Sequence, residues 1–143
     1  PEFMKTKYDP RLVVIDDQSL ETDETRADNR RKLITDHTSN MVDFIEGDFM
    51  SPDIMSQVKD THSEFDMCWF DCGGPIELQF FLDNYLDIVK EYFVVHFTFF
   101  KGKENKNGET ISKFLETNSH IQRLDIIEPH KYRQGSITIL RKT

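Results

Sequence analysis

Short apolar runs that stop at acidic or glycine residues constrain the fold of this chain more than any other feature. Residues 12–15 are wholly apolar and end in Asp16-Asp17, and residues 65–70 end in Asp71-Cys72-Gly73-Gly74-Pro75. Residues 41–45 form a further run, and residues 93–99 form another that is rich in β-branched and aromatic side chains. Near-continuous apolarity over so few residues is typical of strands buried on both faces of a parallel sheet.

Helical patterns separate these runs. Ser19 is a suitable N-cap for a helix over residues 20–35, and Ser51-Pro52-Asp53 combines an N-cap with proline at the first helical position. The polar segment 101–108 is predicted to be a loop. Two further helices are indicated by apolar residues at i, i+3 and i+4 spacing, namely Leu78, Phe81, Leu82, Tyr85, Leu86 and Val89, and then Ile111, Phe114 and Leu115.

The chain closes on two strands, predicted at residues 124–127 and 136–140. The connection between them contains Pro129 and Gly135 and is too short for a crossover helix, so the strands should be antiparallel neighbours. Alternating strands and helices before this pair indicate the α/β class. We therefore predict a mainly parallel, open, Rossmann-like sheet with helices on both faces and an antiparallel C-terminal strand pair.

Length and charge narrow the class of protein. The chain has 143 residues; the first three, Pro1-Glu2-Phe3, resemble a cloning remnant, and residues 4–143 are predicted to form a single domain. A net charge of −8 argues against nucleic-acid binding, because an acidic surface repels phosphate backbones. No apolar run approaches the roughly 20 residues of a membrane helix, and no membrane association is expected.

The two cysteines, Cys68 and Cys72, have neither a second pair for zinc nor the spacing for a disulfide along an extended strand. Two reduced thiols and a cytoplasmic location are predicted. Trp69, next to Phe70, is predicted to be a core residue.

The strand ends resemble those of class I S-adenosylmethionine-dependent methyltransferases. Each motif is short, but together they follow the order and spacing of that family from about Leu12 to Lys142. The matching segments are residues 13–16 (second strand), 44–49 (third strand with Gly47-Asp48), 65–71 (fourth strand with Asp71), 93–96 (fifth strand with His96) and 135–142 (antiparallel last strand with a basic end).

The resemblance implies a cofactor and roles for four residues. Asp16 would bind the ribose hydroxyls of S-adenosylmethionine, and Asp48 would lie near the adenine. Asp71 or His96 would serve as the base when a methyl group is transferred to oxygen or nitrogen. No metal site is expected, because Asp83-Asn84 lies a helix away from Asp71 and the histidines show no common metal spacing. The substrate does not follow from the sequence.

The chain departs from the family at its beginning. The family opens with a strand and a glycine-rich turn that holds the methionine portion of the cofactor, whereas residues 4–11 contain no glycine. Residues 71–75 are the alternative location for such a turn, although their glycines are adjacent and not in a G-x-G. Because unpaired backbone groups in a core cost about 1–3 kcal/mol each, either the flanking strands pair directly or a partner completes the sheet, which predicts a homodimer or other partner chain.

Three functions are consistent with these observations. The first is a methyltransferase-like domain that is incomplete or impaired as a stand-alone enzyme. The second is a noncatalytic protein-interaction module or half-domain that dimerises. The third, a phosphoacceptor receiver-like domain, has Asp16-Asp17, Asp71 and Thr98 at matching strand ends, but the closing strand pair argues against it. Each acidic candidate also has a purely structural role open to it, Asp71 as an acceptor for the Gly73 or Gly74 amides.

Overall fold

The computed structural model describes residues 11–17, 23–26, 28–29, 32, 42–128 and 135–143. The chain divides into two compact units, Pro1–Val58 and Lys59–Thr143. Among the residues described, no helix is long and apolar enough to cross a membrane.

The first unit contains a parallel strand pair. Strand β1, Leu12–Asp16, runs parallel to β2, Val42–Glu46, in the register Leu12↔Val42 to Asp16↔Glu46. Both strands were predicted, although the predicted first residue of β2, Met41, lies outside the described residues. Residues 24–26 and 28–29 are helical, and most of the remaining helix predicted at 20–35 lies outside the described residues. Helix α1, Pro52–Thr61, begins in this unit with Asp53 in its first turn.

The second unit is built on a four-stranded sheet in the order β3-β4-β8-β7. The strands are β3 at Phe65–Phe70, β4 at Val89–His96, β7 at Ile121–Ile127 and β8 at Ser136–Lys142. Strands β3 and β4 are parallel, and β8 is antiparallel to both β4 and β7. The antiparallel closing pair is therefore confirmed, and the sheet is mixed.

Two helices cover one face of this sheet. Phe81 of helix α2, Pro75–Asn84, stacks on Phe93 of β4 with ring centroids 5.0 Å apart and also contacts Phe70 at 5.5 Å. Helix α3, Lys106–Thr117, contacts α2 and reaches the same face of the sheet, where Arg123 of β7 donates a hydrogen bond to Ser112 Oγ at 2.7 Å. Helices were expected on both faces of the sheet. The two described helices of this unit, α2 and α3, lie on the same face.

The helix predicted over residues 78–89 is shorter than its apolar periodicity indicated. Helix α2 ends at Asn84, a 3-10 turn follows at Leu86–Ile88, and Val89 is already the first residue of β4. Five of the six periodic residues are buried, as expected, and Leu86 is half-buried. Val89, however, is buried as the first residue of a strand and not as part of the helix. Apolar spacing alone does not show whether a buried residue belongs to a helix or to a strand.

The loop predicted at residues 101–108 contains regular structure. Strands β5, Phe99–Phe100, and β6, Lys103–Glu104, form a small hairpin, and α3 begins directly afterwards. Asn105 is its N-cap: its Oδ1 accepts hydrogen bonds from Asn107 N at 2.9 Å and Gly108 N at 3.1 Å. The polar residues that indicated a loop are thus partly a helix cap and a first helical turn.

Candidate functional site

In the first unit, the acidic candidates lie where two parallel strands end. Asp16 is the last residue of β1, is exposed, and accepts a hydrogen bond from Gly47 N through its backbone oxygen at 3.1 Å. Asp48 is also exposed, and its Oδ1 accepts from Met50 N at 2.9 Å. The carboxyl ends of parallel strands are the edge at which open α/β sheets bind ligands. One oxygen of Asp48 is thus used to stabilise the turn after β2, which is the structural role that the sequence also allowed for this residue.

In the second unit, Asp71 and His96 form a hydrogen-bonded pair. Phe70 pairs with Val95 in the β3–β4 register, so the residues that follow them lie side by side at the carboxyl edge. His96 Nδ1 is 2.5 Å from Asp71 Oδ1. The His96 side chain is 18% exposed and the Asp71 side chain 58% exposed, so the pair is accessible from solvent. Sequence reasoning singled out both residues but did not predict that they touch.

The glycine-containing turn after Asp71 is organised by its own helix. Gly74 is the N-cap of α2, and its N–H donates to Glu77 Oε2 at 2.8 Å. Hydrogen bonds from the backbone N–H groups of Glu77 and Gly74 lower the pKa of the Glu77 carboxyl, which is therefore an anion at neutral pH. At Gly73, whose φ is +64°, an added Cβ would lie 2.5 Å from Glu77 Cγ. The N-terminus of α2 is thus occupied by a carboxylate of the same chain.

A backbone irregularity that sequence reasoning missed follows His96. The predicted strand 93–99 ends at His96, because Phe97 has a positive φ of 56°, a conformation that bulky residues rarely adopt. Ser136 holds this turn, since its backbone oxygen accepts from Phe97 N at 2.9 Å and its Oγ accepts from Thr98 N at 3.0 Å. Strain of this kind is common beside functional groups. No local sequence signal marks Phe97 for it.

A buried polar network supports the same turn from behind. Thr98 and Thr138 are both fully buried, and their hydroxyl oxygens are 2.7 Å apart. Thr138 Oγ1 also donates to Asp125 Oδ1 at 2.6 Å. Buried hydroxyls that find partners fix one arrangement of the backbone. The segment after His96 is therefore held rigidly against β8.

A shallow cleft of about 240 Å³ opens beside this segment. Its lining includes Phe99, Lys101, Ile127 and Ser136, so it shares Ser136 with the turn after His96. The volume is below the roughly 300–1,000 Å³ of sites for drug-sized ligands.

Within the described residues, no group of three or more His, Cys, Asp or Glu side chains is placed to hold a metal ion.

Two further sequence predictions concern β3. Cys68 and Cys72 are both free thiols, and burial together with the charge of Cys72 raises the pKa of Cys68 to about 12. Trp69 was predicted to be core, and that prediction is wrong: the residue is 50% exposed. Its neighbour Phe70 points to the face that α2 and α3 cover, whereas Trp69 points to the opposite face, with its ring centroid 6.2 Å from that of His96.

No family model matches the chain, and no curated protein matches it in sequence. Solved structures do match it. An O-methyltransferase from Bacillus cereus in complex with SAH is 18% identical, with a TM-score of 0.62, over 92% of this chain and 63% of that one. TomG from Streptomyces achromogenes, an O-methyltransferase of tomaymycin synthesis in complex with SAM, is 16% identical, with a TM-score of 0.63, over 93% and 62%.

An rRNA methylase from Streptococcus thermophilus is 9% identical, with a TM-score of 0.58, over 94% of this chain and 87% of that one. This chain thus spans 63% and 62% of the length of the two O-methyltransferases. Likeness at these identities concerns the fold: the chain has the class I methyltransferase fold, as the strand-end motifs indicated.

Proposed function

We propose that this chain is an S-adenosylmethionine-dependent methyltransferase domain in which Asp71 positions His96 to accept a proton. The observation that carries the proposal is the 2.5 Å hydrogen bond between His96 Nδ1 and Asp71 Oδ1 at the ends of neighbouring parallel strands. The fold supports it, because two structures with that fold are complexes with SAH or SAM.

The bound cofactor would supply an electrophilic methyl group on a sulfonium. An oxygen or nitrogen nucleophile of the substrate would form the new bond to this methyl carbon while the methyl–sulfur bond breaks and leaves S-adenosylhomocysteine, and the nucleophile would lose its proton. His96 would take that proton at Nε2, because Nδ1 is engaged with Asp71. The Asp71 carboxylate fixes the ring orientation and stabilises the imidazolium, which makes Asp71 a positioning residue.

The acidic side chains of the first unit fit parts of the cofactor. The exposed Asp16 carboxylate at the end of β1 can accept two hydrogen bonds, as adjacent ribose hydroxyls require. Asp48 has its Oδ1 committed to Met50 N, which leaves Oδ2 for the adenine amine. The resemblance assigns the methionine portion to a glycine-rich turn, and the Gly74 amide is already bonded to Glu77. We therefore expect the chain alone to bind the cofactor weakly.

Cofactor binding is tested by calorimetric titration with S-adenosylmethionine and S-adenosylhomocysteine. We expect saturable binding that Asp16→Asn weakens about tenfold, which corresponds to the loss of one charge-assisted hydrogen bond. Asp60→Asn, which removes an exposed carboxylate from α1, is the matched control and should bind like the parent chain. Absence of heat from either ligand at high concentration would reject the cofactor assignment.

The chemical step is tested by SAH release with a panel of phenols, catechols and amines as acceptors. His96→Gln and Asp71→Asn should lower turnover by about 10²–10⁴, the usual contribution of a positioned base, without changing cofactor affinity. His96→Asn preserves a donor at the position of Nδ1 but lacks an equivalent of Nε2, and it should be equally slow. Turnover that is unaffected by His96→Gln would remove His96 from the mechanism.

A noncatalytic interaction module is the second proposal. The observation that favours it is the Glu77 carboxylate at the N-terminus of α2, which would repel an anionic ligand there. This proposal predicts no heat in the titration and no SAH release with any acceptor. The receiver-like alternative gains no support from the fold, because β7 and β8 form an antiparallel pair.

A further inference from the structure

The peptide group between Phe97 and Thr98 lies one residue beyond His96, and side chains from other elements bond to both its ends. Its oxygen, Phe97 O, accepts a hydrogen bond from Asn105 Nδ2 at 2.8 Å. Its nitrogen, Thr98 N, donates to Ser136 Oγ at 3.0 Å. Because a peptide group is planar, fixing its oxygen and its nitrogen fixes its orientation. The two bonds therefore hold the backbone of Phe97 in its left-handed conformation.

The hydroxyl of Ser136 is committed entirely to this turn. Besides the bond from Thr98 N, its Oγ accepts a hydrogen bond from Phe99 N at 2.8 Å and donates one to Phe99 O at 3.3 Å. Two accepted bonds and one donated bond are the full capacity of a hydroxyl. Both Ser136 and Thr98 are buried, so removal of the hydroxyl leaves the Thr98 N–H without a replacement from solvent.

The two ends of the Asn105 side chain have separate roles. Its Oδ1 caps α3 by accepting hydrogen bonds from Asn107 N and Gly108 N, whereas its Nδ2 donates to Phe97 O. An N-cap needs only the acceptor, which aspartate supplies as well as asparagine does. The Nδ2 donor therefore serves the turn after His96 and not the cap.

We propose that Ser136 and Asn105 are positioning residues for His96. A left-handed bulky residue persists only where its surroundings over-determine it. Without the two bonds, Phe97 should relax to a negative φ, which turns the end of β4 relative to the segment that follows. The contact between His96 Nδ1 and Asp71 joins two strand ends, so such a movement separates them. The inference rests on the proposed function, in which His96 accepts the proton.

The tautomer of His96 reports this positioning without any need for turnover. A neutral imidazole whose Nδ1 faces a carboxylate carries its proton on Nδ1, whereas a neutral imidazole in water favours Nε2. Imidazole ¹⁵N chemical shifts are measured at about pH 9, well above the ordinary titration range of histidine, and His96→Gln identifies the His96 signals among the five histidines. The parent chain should show the Nδ1–H tautomer, and Asn105→Asp and Ser136→Ala should shift it towards Nε2–H.

Asn118→Asp is the matched control on the same helix. Asn118 Nδ2 also donates to a backbone oxygen, Phe114 O at 2.8 Å, but at the C-terminal end of α3. The added negative charge is less favourable there than at the N-terminus. This variant should therefore be the less stable of the two asparagine variants and should still keep the Nδ1–H tautomer.

The outcome for the tautomer decides the proposal. An Nδ1–H tautomer that persists in both Asn105→Asp and Ser136→Ala, with both chains folded by circular dichroism, overturns it. If Ser136→Ala does not fold, Asn105→Asp decides alone, because it keeps the acceptor that caps α3.

SAH release separates this inference from the proposed function. Asn105→Asp should lower kcat by about 10- to 100-fold, the scale of a displacement of about 1 Å, with unchanged cofactor affinity, and Asn118→Asp should turn over like the parent. A parent that loses its Nδ1–H tautomer on Asn105→Asp substitution but never releases SAH would reject the proposed function and retain the positioning role. Parent-like turnover by Asn105→Asp would reject the positioning role.

Discussion

Replacement of Gly108 by alanine tests whether the segment after His96 is held by close backbone packing. An added Cβ would lie 2.5 Å from the backbone oxygen of Thr98 and 3.1 Å from Glu104 Cβ. Thr98 O cannot yield easily, because it accepts a hydrogen bond from Asn105 N, the N-cap of α3, at 3.0 Å. Either the first turn of α3 or the turn after His96 must therefore shift.

The magnitude follows from two opposing terms. Overpacking of a buried site lowers the free energy of unfolding by about 1–3 kcal/mol. Alanine in place of glycine within a helix raises it by up to about 1 kcal/mol. We expect Gly108→Ala to lower the free energy of unfolding by about 1–2 kcal/mol. For a chain of this size, that is a fall in Tm of about 2–8 °C.

Urea and thermal unfolding followed by far-UV circular dichroism measure this change. Lys113→Ala, at an exposed position on the same helix, is the control and should stay within about 0.5 kcal/mol of the parent chain. The sign of the effect decides the question. A Gly108→Ala chain that is more stable than its parent, as helix propensity alone would give, would falsify the close-packing argument.

Two further predictions concern ionisable groups. The pKa of Glu77 is lowered from 4.5, so its hydrogen bonds stabilise the fold at neutral pH and this contribution is lost as the pH falls through the folded-state pKa. Urea unfolding should show Glu77→Gln to be less stable than its parent at pH 7, and the difference should shrink steadily as the pH is lowered below 4.5. Because burial raises the pKa of Cys68 to about 12, a disulfide reagent at about pH 8 should label Cys72 rapidly and Cys68 only after denaturation. Rapid labelling of the Cys72→Ser chain would contradict this.

The strands were predictable because their signals are local. An apolar run and the acid or glycine that ends it lie within a few residues, and β3 was predicted with the bounds that the structure gives, Phe65–Phe70. The candidate acids followed from the same signals, since Asp16 is the last residue of a strand and Asp48 and Asp71 come within two residues after one. The start of α3 was missed although Asn105 is a common N-cap residue, because the polar residues around it also fit a loop.

The remaining features depend on contacts between distant residues. Asp71 and His96 are 25 positions apart, and their hydrogen bond exists because β3 and β4 are parallel neighbours in one particular register. The wrong prediction for Trp69 has the same origin. Alternation places Trp69 and Phe70 on opposite faces, but only tertiary structure decides which face the helices cover.

The turn at residues 71–75 shows why a strand, a turn and a helix do not by themselves define a cofactor site. Such a turn binds an anion when the N–H groups at the start of the helix are available to it. Here the N–H groups of Gly74 and Glu77 both bond to the Glu77 carboxylate, and the lowered pKa of that group keeps it charged. A cofactor carboxylate would have to displace an anion that the helix already binds. The functional candidate in this turn is therefore Asp71, which precedes the glycines and is hydrogen-bonded to His96, and not the glycines themselves.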